Sequence, residues 1–311
     1  MLPLSCSSRT RWHRGLLCML LAFACPLWAQ KHRALQSPPS PLLLRYAPPE
    51  GSEWFYEQED SVTQEQSFLG MGGGETTTLT IARRMPLRYR VVRSADTLHL
   101  SMQLDSVALS RKFEDTALED TVFTSSHGGI VVTYILLPSG RLLTQSEDVR
   151  DSSFLLSLYR TPFAWRGDWL NKPLLLVRLP DTLVMPGHQW TVEERDTLVS
   201  EDENARGRSI RHLKATNTLE ALVDTLGKHC ARIRTAIESF TLRSTVEQKG
   251  WGTVTGDGSG QGSALAYVEV GTGMPVIVTR ALQLELTTTV VGQVELLGSV
   301  TVKASSLLRH R

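Results

Sequence analysis

Residue types that carry out catalysis are present in this chain, but their spacing builds no catalytic motif. The strained Gly-x-Ser-x-Gly turn of a nucleophilic serine is absent around Ser139, Ser259 and Ser263. Five scattered histidines form no His-x-x-x-His pair: His99, His127, His188, His212 and His229. We therefore predict that the protein is not an enzyme and has no metal site and no cofactor.

One cysteine and four carboxylates have a structural interpretation beside the chemical one. Cys230 follows His229, but adjacent side chains of a strand point to opposite faces, and a lone buried cysteine is typical of a core. The carboxylates have the residue types that glycoside hydrolysis requires, yet they lie beside a predicted turn, as solvated residues do: Asp181, Glu193, Glu194 and Asp196.

Two glycine-rich runs, 70–74 and 250–262, do not fit the motifs that bind phosphate. The first lacks the Lys-Ser/Thr pair of a P-loop and precedes a threonine-rich stretch that favours a strand. The second lacks the spacing of a dinucleotide-binding fingerprint. We interpret it as a strand that bends sharply.

The elements that must position these residues are antiparallel strands. Over 98–104 apolar residues alternate with polar ones, as in a half-buried strand. The same alternation elsewhere predicts an all-β protein of mainly antiparallel, curved half-barrel or sandwich sheets. One helix is predicted near 147–160, because Thr144 and Glu147 have the spacing of a capping box.

Two of the predicted strands change their alternation in the middle, which predicts a β-bulge in each. The extra residues fall at 105–106 and at 238–239. A bulge bends a strand, and a bent sheet is concave on one side. The inward positions of these two strands are the predicted ligand-binding residues: Leu100, Met102, Leu104, Ile233 and Ile237.

The two bent strands belong to a predicted internal two-fold repeat. Tyr134 and Gly140 recur 133 residues later as Tyr267 and Gly273. A hinge at 179–190 separates the two copies, and a period of this length suits half-units that share one core.

The N-terminus has the pattern of a secretory signal: a basic stretch, an apolar stretch too short to span a bilayer, and a small residue at Ala29. We predict cleavage between Ala29 and Gln30; the alternative is a lipoprotein anchored at Cys25. The chain then divides into a signal peptide over 1–29, a proline-rich disordered tether over 30–49, a first half-barrel with the helix over 50–178, a second half-barrel over 179–306, and a tail over 307–311.

Composition narrows the partners that the protein can have. The chain has 33 basic and 32 acidic residues, so no overall charge favours a nucleic-acid partner. We expect no transmembrane span in the mature chain, and the signal predicts a periplasmic or secreted protein of the bacterial envelope. The predicted strands also lack regular aromatic girdles, which favours a soluble β-protein.

Three short motifs carry a resemblance that spans roughly residues 50–305. They are the Pro-Gly that precedes Trp190, the Pro-Ser-Gly-Arg turn at 138–141 and the Cys-Ala-Arg-Ile strand at 230–233. They resemble those of an uncharacterised secreted or periplasmic bacterial family of two repeated antiparallel half-barrels. Its shape is similar to that of lipoprotein-carrier-like envelope proteins, which implies binding of an acyl chain on the concave face.

Two functions follow as hypotheses. The first is a non-enzymatic envelope or secreted protein that binds a lipid or another apolar ligand on the concave face of its sheets. The second is a structural or protein-interaction module of the cell envelope, with an envelope protein as partner, whose concave face is a fully packed core. The two hypotheses differ in whether side chains completely fill the space on the concave face or leave room for a ligand.

Overall fold

A computed structural model describes residues 40–69, 76–104, 106–114, 121–125, 130–149, 177–201, 205–250, 252–292 and 296–311. These residues belong to one compact unit. They form thirteen strands: β1 Glu53–Leu69, β2 Thr76–Ser94, β3 Leu98–Leu104, β4 Val107–Glu114, β5 Thr121–Ser125, β6 Ile130–Leu136, β7 Leu142–Val149, β8 Gln189–Glu201, β9 Ala205–Thr225, β10 Lys228–Gln248, β11 Gly252–Glu269, β12 Pro275–Gly292 and β13 Leu296–His310.

All strands pair in one antiparallel sheet, which confirms the predicted fold class. The order is β7-β6-β3-β2-β1-β13-β12-β11-β10-β9-β8, and β4 pairs with β2 and β5. Most strands therefore lie beside the next one in the chain, and β1 also pairs with β13. Within the described residues the sheet does not close, since β7 and β8 are its two ends.

One face of the sheet is apolar and buried, and the other is polar and exposed. On β12, Leu282, Leu284 and Leu286 are buried, while the residues between them, Gln283 and Glu285, are exposed. The period-two alternation in the sequence produces this division, because successive side chains of a strand point to opposite faces. We call the buried side the inner face.

The inner face carries two clusters of apolar side chains. The first includes Tyr56, Tyr89 and Tyr134. The second lies further along the strands and includes Phe240, Leu284 and Val302. A buried aliphatic or aromatic side chain stabilises the fold by about 1.5–3 kcal/mol, so these clusters hold the long strands together.

Both predicted β-bulges have a counterpart in the strand register. Leu87 and Arg84 of β2, three residues apart, pair with Leu104 and Ala108, four residues apart. In the same way, β10 takes three residues from Ile237 to Phe240 where β11 takes two. An extra residue therefore lies at both predicted places.

The internal repeat itself stays a prediction, and its residue pairs behave differently. Gly140 and Gly273 both have a left-handed backbone, with φ of +78° and +69°. Tyr134 pairs with Leu100 and is buried on the inner face. Tyr267, in contrast, pairs with Arg232, while its neighbour Ala266 is the buried residue. The two tyrosines point to opposite faces.

The predicted tether over 30–49 is wrong for residues 40–49, which we call the N-terminal strap. Leu42 exchanges two backbone hydrogen bonds with Val184, and the Tyr46 amide donates to the Pro138 carbonyl at 2.7 Å. Leu44 and Tyr46 are buried. The proline content lowers the tendency to form regular structure, but two large apolar side chains gain enough from burial to dock this segment on the first cluster.

The helix near 147–160 is also wrong at its start, because residues 142–149 form β7. Thr144 and Glu147 pair with Ile135 and Val132 of β6. Backbone pairing with the free edge of β6 outweighs the local capping signal, which is worth only about 1 kcal/mol. The rest of that helix, residues 150–160, lies outside the described residues.

The predicted tail over 307–311 is strand as far as His310, which pairs with Tyr56 of β1. The reason is that β1 needs a second neighbour to satisfy its backbone groups. The predicted signal over 1–29, with the candidate cleavage site at Ala29 and Gln30 and the alternative anchor at Cys25, lies outside the described residues.

Candidate functional site

The five predicted ligand-binding residues lie on the inner face. Leu100, Leu104 and Ile233 are buried in the first cluster, and Met102 packs against it. Ile237 packs against the second cluster and also lines an internal cavity. Leu100 does not line this cavity, whose strand residues come mainly from β8–β12. A ligand role for the five residues stays a prediction.

The internal cavity has a volume of about 140 Å³. Its apolar wall includes Leu213, Ile237, Phe240 and Leu282, and Val177 also contributes to it. A cavity of similar size, about 150 Å³, admits benzene in another protein. The space therefore suits a small group or one end of a longer molecule.

Four charged residues interrupt the apolar wall: Arg178 and Glu194, which pair with each other, and the two strand arginines Arg211 and Arg280 on the inner face. Arg211 on β9 donates a hydrogen bond to Asp196, while its Nε atom is buried without a partner. Arg280 on β12 forms no hydrogen bond and no ion pair with any other residue that the structure describes. Burial lowers the pKa of Arg280, and the nearby Arg211 cation lowers it further, against the opposing effects of Asp60 and Glu194.

The other charged side chains described on the inner face near the cavity are paired. Arg83 donates to Asp60 at 2.9 Å, and the Asp60 carboxylate also accepts from Gln58 at 3.1 Å. Arg178 forms a 2.8 Å ion pair with Glu194. Together with the pair of Arg211 and Asp196, this leaves Arg280 as the surplus cation among the described residues.

Small neighbours give the Arg280 side chain room. In the strand register, Arg280 lies between Ser306 of β13 and Ala264 of β11, and Ser306 in turn pairs with Asp60. Neighbouring strands are about 4.8 Å apart, so roughly 10 Å separates the backbones at Arg280 and Asp60. Arg280 and Asp60 therefore lie two strands apart on the same face, near enough for the Asp60 carboxylate to act on the pKa of Arg280.

A larger concavity, of about 890 Å³, lies at the outer face. Small residues pair across it from strand to strand, among them Ser61, Ala82, Ala281, Ser263 and Ser305. Arg84 and Arg234 at its border are paired, with Glu57 and Glu220. The groove follows from the small side chains, and Arg280, which also lines the smaller cavity, contributes to its lining.

The carboxylates considered for glycoside chemistry do not converge. Glu194 and Asp196 form ion pairs on the inner face, whereas Glu193 contacts His212 on the outer side and Asp181 is exposed. Each is accounted for by a cationic partner or by solvent. Within the described ranges, no group of three His, Cys, Asp or Glu side chains is suited to hold a metal ion.

Cys230 is the free cysteine of the described residues and is buried. Burial raises the pKa of its thiol to about 12, and the Glu269 carboxylate raises it as well. A thiol with so high a pKa is a poor nucleophile at neutral pH. The structure thus agrees with the interpretation of Cys230 as a core residue.

Sequence reasoning missed the two cavity arginines, although the sequence contains a signal for one. Arg280 shares its parity with Val278 and Leu282, so it stands at an inward position of an otherwise apolar stripe. A charge at a core position is rare without a partner. The alternation of β12 could therefore have identified Arg280.

Comparisons with known proteins give no relative for this chain. No family model and no curated protein matches it. The similar solved structures include a mutant of Rh. blastica porin, at 9% identity and a TM-score of 0.24, covering 83% of this chain and 100% of the porin. Pseudomonas aeruginosa OpdQ matches at 7% identity and a TM-score of 0.21, over 83% and 99% of the two chains.

These TM-scores are too low to transfer any property of those proteins to this chain. Among the described residues, no helix has the length and apolar character needed to cross a membrane.

Proposed function

We propose that this protein is a non-enzymatic, secreted or envelope protein that binds a ligand with an apolar part on the inner face of its sheet. The observation that carries the proposal is the cavity of about 140 Å³ between Leu213, Ile237, Phe240 and Leu282. A well-packed interior has few voids larger than a water molecule, so an apolar space of this size is a candidate binding site. The predicted secretory signal supports the location.

The alternative is a structural or interaction module of the envelope, and the dense first cluster favours it. Leu100 and Ile233 have no exposed surface. If the whole inner face serves only as core, a ligand has no place in it. The two functions therefore make opposite predictions for a residue that lines the cavity.

Two alanine substitutions distinguish these functions. Ala215 lines the cavity, so Ala215→Leu should place its added methyl groups in free space and change the free energy of unfolding by less than about 1 kcal/mol. Ala231 is fully buried in the first cluster, so Ala231→Leu should overpack it and cost about 1–3 kcal/mol. Urea unfolding measures both.

Mass spectrometry of an organic extract of the purified parent and of Ala215→Leu completes the test. We expect an apolar molecule in the extract of the parent and its loss from Ala215→Leu, since the new side chain occupies its space. An empty extract from the parent, together with equal destabilisation by both substitutions, would favour the structural module and reject the binding function.

A further inference from the structure

We infer that the cavity binds the anionic end of an amphipathic ligand, a carboxylate or a phosphate monoester, through Arg280 and the free Nε–H of Arg211. The inference rests on the proposed binding function and specifies the chemical class of the ligand. Its basis is the difference between these two arginines and the other charged side chains that the structure describes on the inner face.

The positive and negative side chains around the cavity are not equal in number. Asp60, Glu194 and Asp196 are matched by Arg83, Arg178 and Arg211. Arg280 has no acidic partner at hydrogen-bonding distance among the described residues, whereas the other charged side chains of the wall, Arg178, Glu194 and Arg211, each form an ion pair. Arg280 is half-buried, so it has lost part of its hydration without gaining a counter-ion, and a bound anion would compensate for that loss.

Arg211 offers a hydrogen-bond donor that has no acceptor. The Arg211 Nε atom is buried and donates to no acceptor, although its other end donates to Asp196. An arginine presents its donors in a planar fork that matches the two oxygens of a carboxylate or phosphate. Arg280 and Arg211 line the same small cavity, so one anion can accept from both.

The apolar side chains of the cavity wall indicate that the ligand also has an apolar part. Most of the remaining wall is apolar and includes Phe240, Leu213, Leu282 and Ile237, which offer no donor. Thr235 and Asn217 also line the cavity, and the Thr235 hydroxyl donates to the Asn217 side-chain oxygen at 2.6 Å. An inorganic anion would leave the apolar wall unused, whereas an acid with a hydrocarbon chain would use both surfaces.

A ligand series on the parent protein, freed of bound molecules by organic extraction and refolding, tests the inference by calorimetric titration. The probes are decanoate, decyl phosphate, decanol and inorganic phosphate. We expect decanoate or decyl phosphate to bind at least about tenfold more tightly than decanol, because a hydrogen bond to a charged group is worth about 1.5–3 kcal/mol. The stronger of the two anionic probes identifies the headgroup.

Arg280→Gln and a matched control complete the experiment. Arg280→Gln should bring the affinity for both anionic probes down to that for decanol, and the melting temperature should stay at or above that of the parent. Arg84→Gln, which changes an exposed arginine of the outer face, should retain the preference for anions. A fall in melting temperature with Arg280→Gln and unchanged affinity would overturn the inference.

The outcomes separate this inference from the proposed function. Equal binding of decanol and decanoate would reject the anion site and keep an apolar ligand. Binding of inorganic phosphate as tightly as decyl phosphate would keep the anion site and reject the apolar part. No binding by any probe would reject both.

Discussion

At the scale of single residues, two glycines show how backbone conformation fixes the positions of segments that are distant in sequence. Gly140 has a φ of +78°, and a Cβ atom there would lie 2.6 Å from the Tyr46 ring and 2.6 Å from the Val177 carbonyl oxygen. Gly51 has the same φ, but open space surrounds the place of its Cβ. A comparison of substitutions at these two glycines therefore separates the cost of backbone strain from the cost of steric crowding.

We predict that Gly140→Ala destabilises the protein more than Gly51→Ala does. Both substitutions force an L side chain into the left-handed region, which costs about 1–2 kcal/mol. Gly140→Ala must also displace Tyr46 and the Val177 peptide, which should add about 1–3 kcal/mol. Urea unfolding of both variants measures the difference. Equal loss in both would show that the close approach of the strap to Gly140 contributes nothing to stability.

The alternation of inward and outward positions along a strand predicts which side chains are buried, but it does not predict how tightly they pack. Strand parity in the sequence predicted the inner face at Leu100, Leu104 and Ile233, which are all buried. Parity could not predict the space beside each side chain, because packing depends on neighbours from strands far apart in the chain. Cavity contact at Ile237 and close packing at Leu100 are therefore properties of the folded sheet.

At the scale of elements, local signals failed where a distant segment supplied the pairing. Two predicted bulges were visible as changes of alternation, because a bulge alters the period of its own strand. The strand β7 and the N-terminal strap were not visible in that way. Thr144 carries a capping signal, yet its backbone pairs with β6, and the proline-rich strap is held by contacts at Pro138, Thr272 and Val184.

The Tyr46 side chain attaches the N-terminal strap to the backbone of Val177. The Tyr46 hydroxyl donates to the Val177 carbonyl at 3.1 Å and accepts from the Val177 amide at 2.9 Å. Burial raises the pKa of this phenol well above its usual range, so it remains protonated and able to donate throughout the neutral range.

Tyr46→Phe should therefore lower the free energy of unfolding by about 1–3 kcal/mol, since it leaves a buried amide and a buried carbonyl without partners. The control is Leu43→Ala in the same strap, where the side chain is 44% exposed and the change should stay within about 0.5 kcal/mol. Chemical denaturation of both variants gives the answer. A Tyr46→Phe variant as stable as the parent would mean that water satisfies the Val177 peptide.

At the scale of the whole molecule, the first and last strands meet, and aromatic side chains surround the place where they do. His310 of β13 lies edge-on to Trp54 and Tyr56 of β1, with ring centroids 5.2 Å and 5.4 Å apart. Lys228 approaches the Trp54 ring at 4.2 Å and forms a 3.2 Å ion pair with Glu269. One titratable ring of the last described strand therefore contacts two aromatic rings of the first.

The pKa of His310 is lowered, first by burial and then by the Lys228 cation, while Glu269 opposes the shift. A lowered histidine pKa means that the unfolded chain binds the proton more readily than the folded one. The contribution of His310 to stability is thus complete above the unfolded pKa of about 6.5, and it is lost as the pH falls from there through the folded pKa.

We predict that the free energy of unfolding falls as the pH is lowered below about 6.5, and that His310→Phe removes this part of the decrease. Phenylalanine keeps an aromatic ring against Trp54 and Tyr56 but cannot take up a proton. The control is Phe55→Leu: Phe55 is an exposed aromatic residue of β1, and its replacement removes no titratable group, so this variant should keep the parent's slope between pH 7 and pH 5. Urea unfolding across this range measures the slope for each variant. If His310→Phe followed the parent at every pH, protonation of His310 would have no part in holding the first and last strands together, and acid sensitivity would have to arise elsewhere in the sheet.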